Sequence, residues 1–402
     1  MLKPLPYHHI ALNGNGDHSG TYRSHCVLTT DHIAALARIL DQTTDSGTPK
    51  ASLVRSFWIQ RDCREEVTGS SLGALQEALP ALISRMTNLS ELCCHVDLHG
   101  PQMASIARSH GLRLTKLAVD CAAPYGSLIK SPEVLPFLKH FTALTDLHLG
   151  IHSQTGVLDS MEPPNLPNLH ILQIVADGTI DALMIWLSRW IMPGLSAFAC
   201  LKSNDVGFSK YLREEADSLF AFMAKHGAGL RMVKINDSCR DVRLAVFPYT
   251  PCLNVYHIFD VQDIFDDLPT SVTQIVLPRF GTNLGYQVVI LRALVQTVQL
   301  LPPEKRLHII RVVKNMIIDR RYQSKPGPFS WRVTMQHADT RRVVTWREFN
   351  IHAKELLKLG VSILDEQDVA LTDVLEEMEA PQESICTDFV ESATDTLLGS
   401  DQ

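Results

Sequence analysis

The stretch Leu89 to His99, LSELCCHVDLH, combines residue types that bind metal ions. Cys93 and Cys94 stand side by side and are followed by His95 and His99. Thiolate and imidazole are the ligands of tetrahedral structural zinc sites, so half of a metal site is one interpretation. The other is that the fold needs small apolar side chains here, because a free cysteine packs as a small hydrophobe. The element that carries the cysteines decides between the two.

A repeated pattern identifies that element. An apolar residue, two variable residues, an apolar residue, one variable residue and a last apolar residue recur, and successive clear copies start 19 to 35 residues apart. Recurrence at this spacing is typical of repeat architectures. The clear copies are NLSELCC, RLTKLAV, ALTDLHL, NLHILQI, GLSAFAC, GLRMVKI, CLNVYHI and SVTQIVL, starting at residues 88, 113, 143, 168, 194, 229, 252 and 271. Weaker copies lie at 53–59, 7–13, 306–312 and 355–361.

Each copy ends in alternating apolar and variable residues, which is the period of a β-strand. The alternation predicts that Cys94 is buried and that Cys93 points to the opposite face. The two thiols then cannot reach one tetrahedral ion, so no metal site is predicted. The predicted buried positions are Leu92, Leu117, Leu147, Leu172, Phe198, Val233, Tyr256 and Ile275, with Cys94, Val119, Leu149, Ile174, Cys200, Ile235, Ile258 and Leu277. The outward positions are Cys93, Ala118, His148, Gln173, Ala199, Lys234, His257 and Val276.

Segments with helical periodicity separate the strands. They span residues 72–86, 101–110, 132–141, 179–191, 211–226 and 285–301. Strands that alternate with helices at this spacing indicate a solenoid in which each unit buries its apolar face by stacking on the next. The predicted fold class is therefore α/β, an irregular solenoid with a parallel sheet on its concave side.

The phrases LTDLHLGI, LPNLHILQIVA and TWREFNIHAKELLKLGVSIL resemble the repeat region of fungal F-box/leucine-rich-repeat proteins, over roughly residues 50 to 365. The resemblance implies a leucine-rich-repeat-like solenoid that recognises the substrate of a ubiquitin ligase. In that family an F-box precedes the repeats and docks on the ligase adaptor. This chain opens with MLKPLPYHHIAL, which resembles a repeat strand, so an adaptor contact is expected only if an F-box is supplied elsewhere. The positions of the family's Asn or Cys ladder are Asp97, Ala122, His152, Asp177, Ser203 and Ser238, which do not reproduce it.

Acidic charge is concentrated at the C-terminal end. The formal net charge is −7, and residues 360–402 hold twelve Asp or Glu and no Lys or Arg, so removing those twelve charges leaves +5. From about residue 379 the chain is acidic, rich in Ser and Thr and poor in aromatics, which is typical of disorder. The predicted organisation is an N-terminal partial repeat or cap (1–50), the solenoid (51–303), a C-terminal cap region (304–378) and a disordered acidic tail (379–402).

Cysteine usage and the N-terminal sequence indicate the compartment. The nine cysteines are scattered and form no Cys-x-x-Cys pair, which argues against a disulfide framework and a zinc ribbon. The N-terminus lacks the apolar core of a signal peptide, and Arg189 and Arg292 interrupt the two most apolar helical stretches. We therefore expect a cytoplasmic or nuclear protein with no membrane partner.

Motifs that carry chemistry are weak in this sequence. Gly14, Gly16 and Gly20 follow a possible strand, but their spacing is GxGxxxG and no helix follows at once, which favours a loop. Asp260, Asp263, Asp266 and Asp267 have helix-like spacing rather than that of a calcium loop. Because no GxxxxGK[ST] or HExxH motif occurs, no catalytic residue and no cofactor are predicted.

The segment 305–358 holds thirteen basic and four acidic residues together with Trp331 and Trp346. Basic charge with aromatics is one footprint of nucleic-acid binding. The interpretation we prefer is a solvated helix at 304–321 followed by a hairpin of WRVTMQH and RRVVTWREF, because the whole-protein charge does not attract phosphates.

The predicted function is binding of a protein partner on the concave face, where each strand exposes variable side chains on a broad surface. The alternatives are a nucleic-acid-associated protein that uses 305–358 and an enzyme with a site in a repeat concavity. Nucleic acid is disfavoured as a partner, and the chain is not expected to be an enzyme. The predicted binding residues are Glu91, Cys93, Lys116, Asp146, His148, Gln173, Lys234 and His257.

Overall fold

Parallel strands that follow one another along the chain form the sheet of this α/β protein, as seen in the computed structural model of the chain. Contacts divide the chain into two compact units, Met1–Leu253 and Asn254–Gln402. The structure describes residues 9–13, 30–60, 69–94, 98–119, 132–152, 158, 161–177, 180–203, 216–235, 246–257, 268–278, 284–301, 307–313, 330–332 and 343–378. The Gly14–Gly20 loop, the aspartates at 260–267 and the tail at 379–402 lie outside these residues.

Among the described residues of the first unit, eight strands pair in parallel, each with the next along the chain. Every clear copy of the sequence pattern in this unit coincides with one of them, and the weak copies at 7–13 and 53–59 overlap the first two. They are β1 (His9–Asn13), β2 (Ser56–Gln60), β3 (Glu91–Cys94), β4 (Lys116–Val119), β5 (Asp146–His152), β6 (Ile171–Asp177), β7 (Ala197–Ser203) and β8 (Met232–Ile235).

The buried column that the alternation predicts is confirmed. Its members in both units are at most 2 % exposed wherever the structure describes them, including Cys94 and Cys200 at 0 %. Ile258 lies outside the described residues. The register aligns Cys94 with Ile59 on one side and Val119 on the other, so the thiol continues an apolar row through the sheet. Cysteine therefore serves here as a small core side chain.

Helices connect the strands at the predicted places. Each of the six helices predicted from the sequence begins within about five residues of its predicted start, and several consecutive helices within one unit pack on each other. The helices at Thr30–Leu40 and Val343–Lys358 are not among those six. Right-handed crossovers place such connections on one face of a parallel sheet, which we infer to be the face of the buried column. They are α1 (Thr30–Leu40), α2 (Gly69–Arg85), α3 (Gly100–His110), a 3-10 helix (Pro132–His140), α4 (Asp181–Ser188), α5 (Ala216–His226), α6 (Leu284–Leu300) and α7 (Val343–Lys358), with short 3-10 turns at Lys50–Leu53, Gly227–Gly229 and Phe247–Tyr249.

His99 lies beside the start of α3, where its backbone N–H donates to Gln102 Oε1 at 2.7 Å. A glutamine at the third helical position that accepts this N–H is half of a capping box. His95 lies outside the described residues. Within the stretch from Leu89 to His99, Cys94 therefore packs in the core and His99 stabilises a helix terminus.

A ladder of hydrogen bonds connects neighbouring strands through the residues that directly precede them. The carbonyl of Ser90 accepts the N–H groups of Thr115 and Lys116, and the carbonyl of Thr115 accepts those of Thr145 and Asp146. The hydroxyls add a second set of bonds: Ser90 Oγ donates to Arg55 O at 3.0 Å, Thr115 Oγ1 to Ser90 O at 3.1 Å and Thr145 Oγ1 to Thr115 O at 3.0 Å. The hydroxyls of this Ser/Thr ladder stand at positions that the repeat pattern treats as variable.

In the second unit, four described strands pair in parallel in chain order. They are β9 (Val255–His257), β10 (Gln274–Pro278), β11 (Ile309–Val313) and β12 (Ser362–Leu364). The strand ladder thus continues into the region predicted as a C-terminal cap. Within the described residues, no helix is long and apolar enough to cross a bilayer.

Three local predictions in this unit are wrong. A strand, β11, occupies part of the helix expected at 304–321, because buried Ile310 and Val312 alternate with half-buried Ile309 and Arg311 and place two apolar residues in the core. The second strand expected in the hairpin belongs to α7, where Phe349, Ala353 and Leu356 form one buried helical stripe. Because this buried stripe continues to Leu356, the weak strand copy predicted at 355–361 starts inside the last turn of α7. The strand β12 begins after it.

Candidate interaction surface

Two rows of side chains lie on the sheet face opposite the buried column of the first unit, and we call this the outward face. The register places each row on consecutive strands from β2 to β8. The first row is Ser56, Glu91, Lys116, Asp146, Ile171, Ala197 and Met232, and the second is Trp58, Cys93, Ala118, His148, Gln173, Ala199 and Lys234. Seven of the eight predicted binding residues therefore lie on one surface.

Asp146 organises the charged part of the outward face. Lys116 Nζ lies 3.3 Å from its Oδ2, and His148 Nε2 lies 2.9 Å from its Oδ1. Burial opposes ionisation of this carboxyl, but the hydrogen bond from His148 and the charges of His148 and Lys116 lower the pKa of Asp146. The carboxylate therefore stays ionised at neutral pH and holds Lys116 on the neighbouring strand β4 and His148 on its own strand β5.

Trp58 extends this cluster toward β2. Its side chain is 44 % exposed, and Lys116 Nζ lies 6.0 Å from the ring centroid although β3 separates the two strands. The indole and the Lys116 side chain thus approach each other across β3. Both side chains are larger than that of Cys93, which lies between Trp58 and Ala118 in the second row.

Cys93 does not offer the exposed side chain that the sequence predicts. It points to the outward face as expected, but it is only 7 % exposed. Trp58 and Lys116 lean over it, so a short side chain in that position lies below the contact surface. Glu91, Lys116, Asp146, His148 and Gln173 are half-buried and remain accessible.

Small and apolar side chains separate Gln173 from Lys234. Ala197 and Ala199 are each 7 % exposed, and Ile171 beside them is 37 % exposed. Lys234 is half-buried on β8, one strand beyond Ala199. The outward face thus has a charged side around Asp146 and an apolar strip along β7.

His257 is the one predicted binding residue in the second unit. It is half-buried on β9 and aligns with Val276 and, beyond it, with Arg311. Arg311 donates to Asp368 Oδ1 at 2.6 Å and to the carbonyl of Asp365 at 3.2 Å. His257 therefore belongs to a different group of side chains from the Asp146 cluster.

Two described arginines of the basic segment are paired with acidic residues. Arg311 pairs with Asp368, and Arg332 pairs with Glu377 at 2.7 Å. The hydrogen bond and charge of Glu377 raise the pKa of Arg332. Trp331 is fully buried, so its ring is not presented for base stacking.

Cys93 and His148 do not form a nucleophile–base pair on the outward face. Cys93 and His148 are separated by a whole strand at Ala118, so their backbones are about 10 Å apart, beyond the reach of a thiolate–imidazole pair. Among the residues that the structure describes, no group of three His, Cys, Asp or Glu could hold a metal ion.

Sequence reasoning missed Trp58 and Ile171, the two apolar residues that the face exposes most. Trp58 lies in the weak copy at 53–59, where the same alternation would have placed it outward. Ile171 stands one row before Gln173, at a position that the pattern treats as variable. The signal was present in both cases, because the alternation with period two places both side chains on the outward face.

No protein-family model matches the chain, and no curated protein matches it.

Proposed function

We propose that the chain is a protein-binding module, a leucine-rich-repeat-like solenoid that holds a partner on the concave side lined by its parallel sheet. The observation that carries the proposal is the outward face itself, where Trp58 at 44 % exposed stands beside half-buried Lys116, Asp146 and His148. Tryptophan surrounded by polar groups is typical of the residues that dominate protein interfaces.

The width of the outward face supports a macromolecular partner. From Trp58 on β2 to Gln173 on β6 the second row crosses five strands, which is about 19 Å at the usual strand spacing. A small substrate needs a cavity that covers most of its surface, whereas a protein partner needs a broad surface with an apolar centre and polar surroundings. The resemblance to F-box proteins adds the substrate of a ubiquitin ligase as the partner class, with an F-box supplied elsewhere.

The test is affinity purification with mass spectrometry on three forms of the full chain. The face variant carries Trp58→Ala, Lys116→Glu and His148→Glu. The control variant carries Ile185→Ala, Lys225→Glu and Ser109→Glu, which make the same charge change on exposed helical positions, and Ile185 is 46 % exposed. We expect proteins captured by the wild type to be kept by the control and lost by the face variant. Circular dichroism verifies that all three forms fold, and an unchanged partner list for a folded face variant refutes the proposal.

A further inference from the structure

The charges of the outward face leave one carboxylate without a partner. Asp146 contacts both Lys116 and His148. Glu91 is half-buried beside Lys116 in the first row, yet within the described residues no cationic group lies within 4 Å of it and it accepts no hydrogen bond. Glu91, Asp146 and Lys116 thus carry a net charge of −1 when His148 is neutral, and Glu91 is where that charge is uncompensated.

Trp58 stands next to this carboxylate. Glu91 lies on β3, the strand that pairs with β2, and Trp58 occupies the adjoining position of the second row. The indole is 44 % exposed and already holds the ammonium of Lys116 at 6.0 Å from its centroid, at the limit of cation–π attraction. A partly exposed indole and an unpaired carboxylate on adjacent strands can together bind an organic cation.

Lys116 opposes a second cation on this surface. Its ammonium lies 3.3 Å from Asp146 Oδ2, so the Asp146 carboxylate offsets most of its charge. A guanidinium is planar, stacks on aromatic rings and forms paired hydrogen bonds with a carboxylate, whereas an ammonium acts as a point charge. Arginine therefore fits the pair of groups better than lysine does.

We propose that Trp58 and Glu91 form a subsite for an arginine side chain of the protein partner, with the guanidinium stacked on the indole and paired with the Glu91 carboxylate. This inference rests on the proposed function and specifies the chemistry of the partner. Phosphates and acidic peptides do not fit, because Glu91 repels them and Asp146 neutralises Lys116.

A peptide library displayed on phage provides the test, with random twelve-residue inserts selected on the immobilised full chain. We expect arginine to be enriched on the wild type, and on the control variant Glu77→Lys, which reverses an exposed charge on α2. On Glu91→Lys we expect the arginine enrichment to disappear and acidic residues to replace it. Acidic residues enriched on the wild type, or an arginine bias that Glu91→Lys leaves intact, would overturn the inference.

The selected peptide that binds most tightly is then used to measure the energetic coupling between Glu91 and the peptide arginine. Trp58→Ala, Glu91→Gln and replacement of the peptide arginine by alanine should each weaken binding by about 3-fold to 30-fold, the range of an exposed to partly desolvated cation–π contact. Glu91→Gln combined with the alanine peptide should weaken binding by less than the product of the two separate effects. Lys116→Met should tighten binding of the arginine peptide. If the effects of Glu91→Gln and of the alanine peptide simply multiply, the two groups act independently and the subsite is refuted.

The two proposals fail in different ways. If the face variant still captures its partners, the outward face is not the binding surface. If capture is lost in the face variant but the selected peptides show no dependence on Glu91, the binding surface stands and the arginine subsite does not.

Discussion

At the scale of single residues, one buried carboxylate holds the C-terminal segment of the second unit together. Asp365 is 0 % exposed. Its Oδ1 accepts the N–H groups of Gln367 and Val369 at 2.8 and 2.9 Å, and its Oδ2 accepts that of Trp331 at 3.0 Å. Asp365 therefore closes the turn after β12. It also fixes Trp331, whose indole is buried against Phe349 with the ring centroids 6.5 Å apart.

We predict that Asp365→Ala lowers the free energy of unfolding by about 2 to 4 kcal/mol, because three N–H groups, that of buried Trp331 among them, lose their acceptor. Asp365→Asn should cost about half as much, since an amide oxygen still accepts two of them. Urea-induced unfolding at neutral pH measures both, with Glu376→Ala on the exposed side of the same segment as the control. A cost for Asp365→Ala equal to that of the control would show that the turn is held by its apolar contacts alone.

The residue scale also shows how far the alternation predicts the surface. It placed Cys93 and Cys94 on opposite faces, as the register confirms. It did not predict that Cys93 would be 7 % exposed, because that depends on Trp58 and Lys116 from two other strands. The alternation with period two predicts the face to which each side chain points, whereas the exposure of that side chain depends on the sizes of side chains on neighbouring strands.

At the scale of elements, the Ser/Thr ladder joins neighbouring strands at their starts. Each carbonyl of the ladder accepts two backbone N–H groups and one hydroxyl, as Ser90 O does from Thr115, Lys116 and Thr115 Oγ1. The hydroxyl is an additional donor, so its loss leaves no backbone group without a partner.

We therefore predict a small and roughly additive effect of removing the hydroxyls. Ser90→Ala, Thr115→Val and Thr145→Val should each cost about 0.5 to 1 kcal/mol, and the triple variant about 2 kcal/mol. Thermal unfolding with Thr142→Val, which is exposed, as the control measures these costs. Variants as stable as the wild type would mean that water replaces the hydroxyls at no cost.

The strands were predictable because their signal is local. Each repeats one pattern over seven residues, and the buried column has the same period in all copies. The segment at 343–349 was not predictable by that route, because VVTWREF alternates like a strand while Phe349 shares its burial with Ala353 and Leu356, farther along α7. A short alternating run becomes a helix when the residues after it extend a helical stripe.

At the scale of the whole molecule, histidines near helix ends connect consecutive helices. His110, in the last turn of α3, is 1 % exposed and its Nε2 donates to the carbonyl of Ile83 in α2 at 2.9 Å. His226, at the end of α5, hydrogen-bonds the carbonyls of Leu187 and Ser188 at the end of α4, and its ring lies 5.0 Å from Phe222. Both imidazoles have a second nitrogen without a hydrogen-bond partner among the described residues.

This arrangement makes stability depend on pH. Burial, together with Arg113, lowers the pKa of His110, and burial, together with Lys225, lowers the pKa of His226 to about 4. A histidine whose pKa is lower in the folded state binds its proton first when unfolded, so its contribution is complete above pH 6.5 and is lost as the pH falls toward 4. With allowance for solvent at His226, the loss is about 1 to 2 kcal/mol for that residue.

We predict that the free energy of unfolding decreases between pH 6.5 and pH 4.5, before the carboxylates with ordinary or lowered pKa values, such as Asp146, are protonated. Urea unfolding at half-unit intervals of pH measures the slope for the wild type, for His226→Gln and for the control His170→Gln, whose histidine is exposed. The amide of glutamine can still donate to a carbonyl of α4 but does not titrate, so His226→Gln should flatten the curve while the control keeps it. An equal slope in all three proteins would place the acid sensitivity elsewhere than at the contacts between consecutive helices.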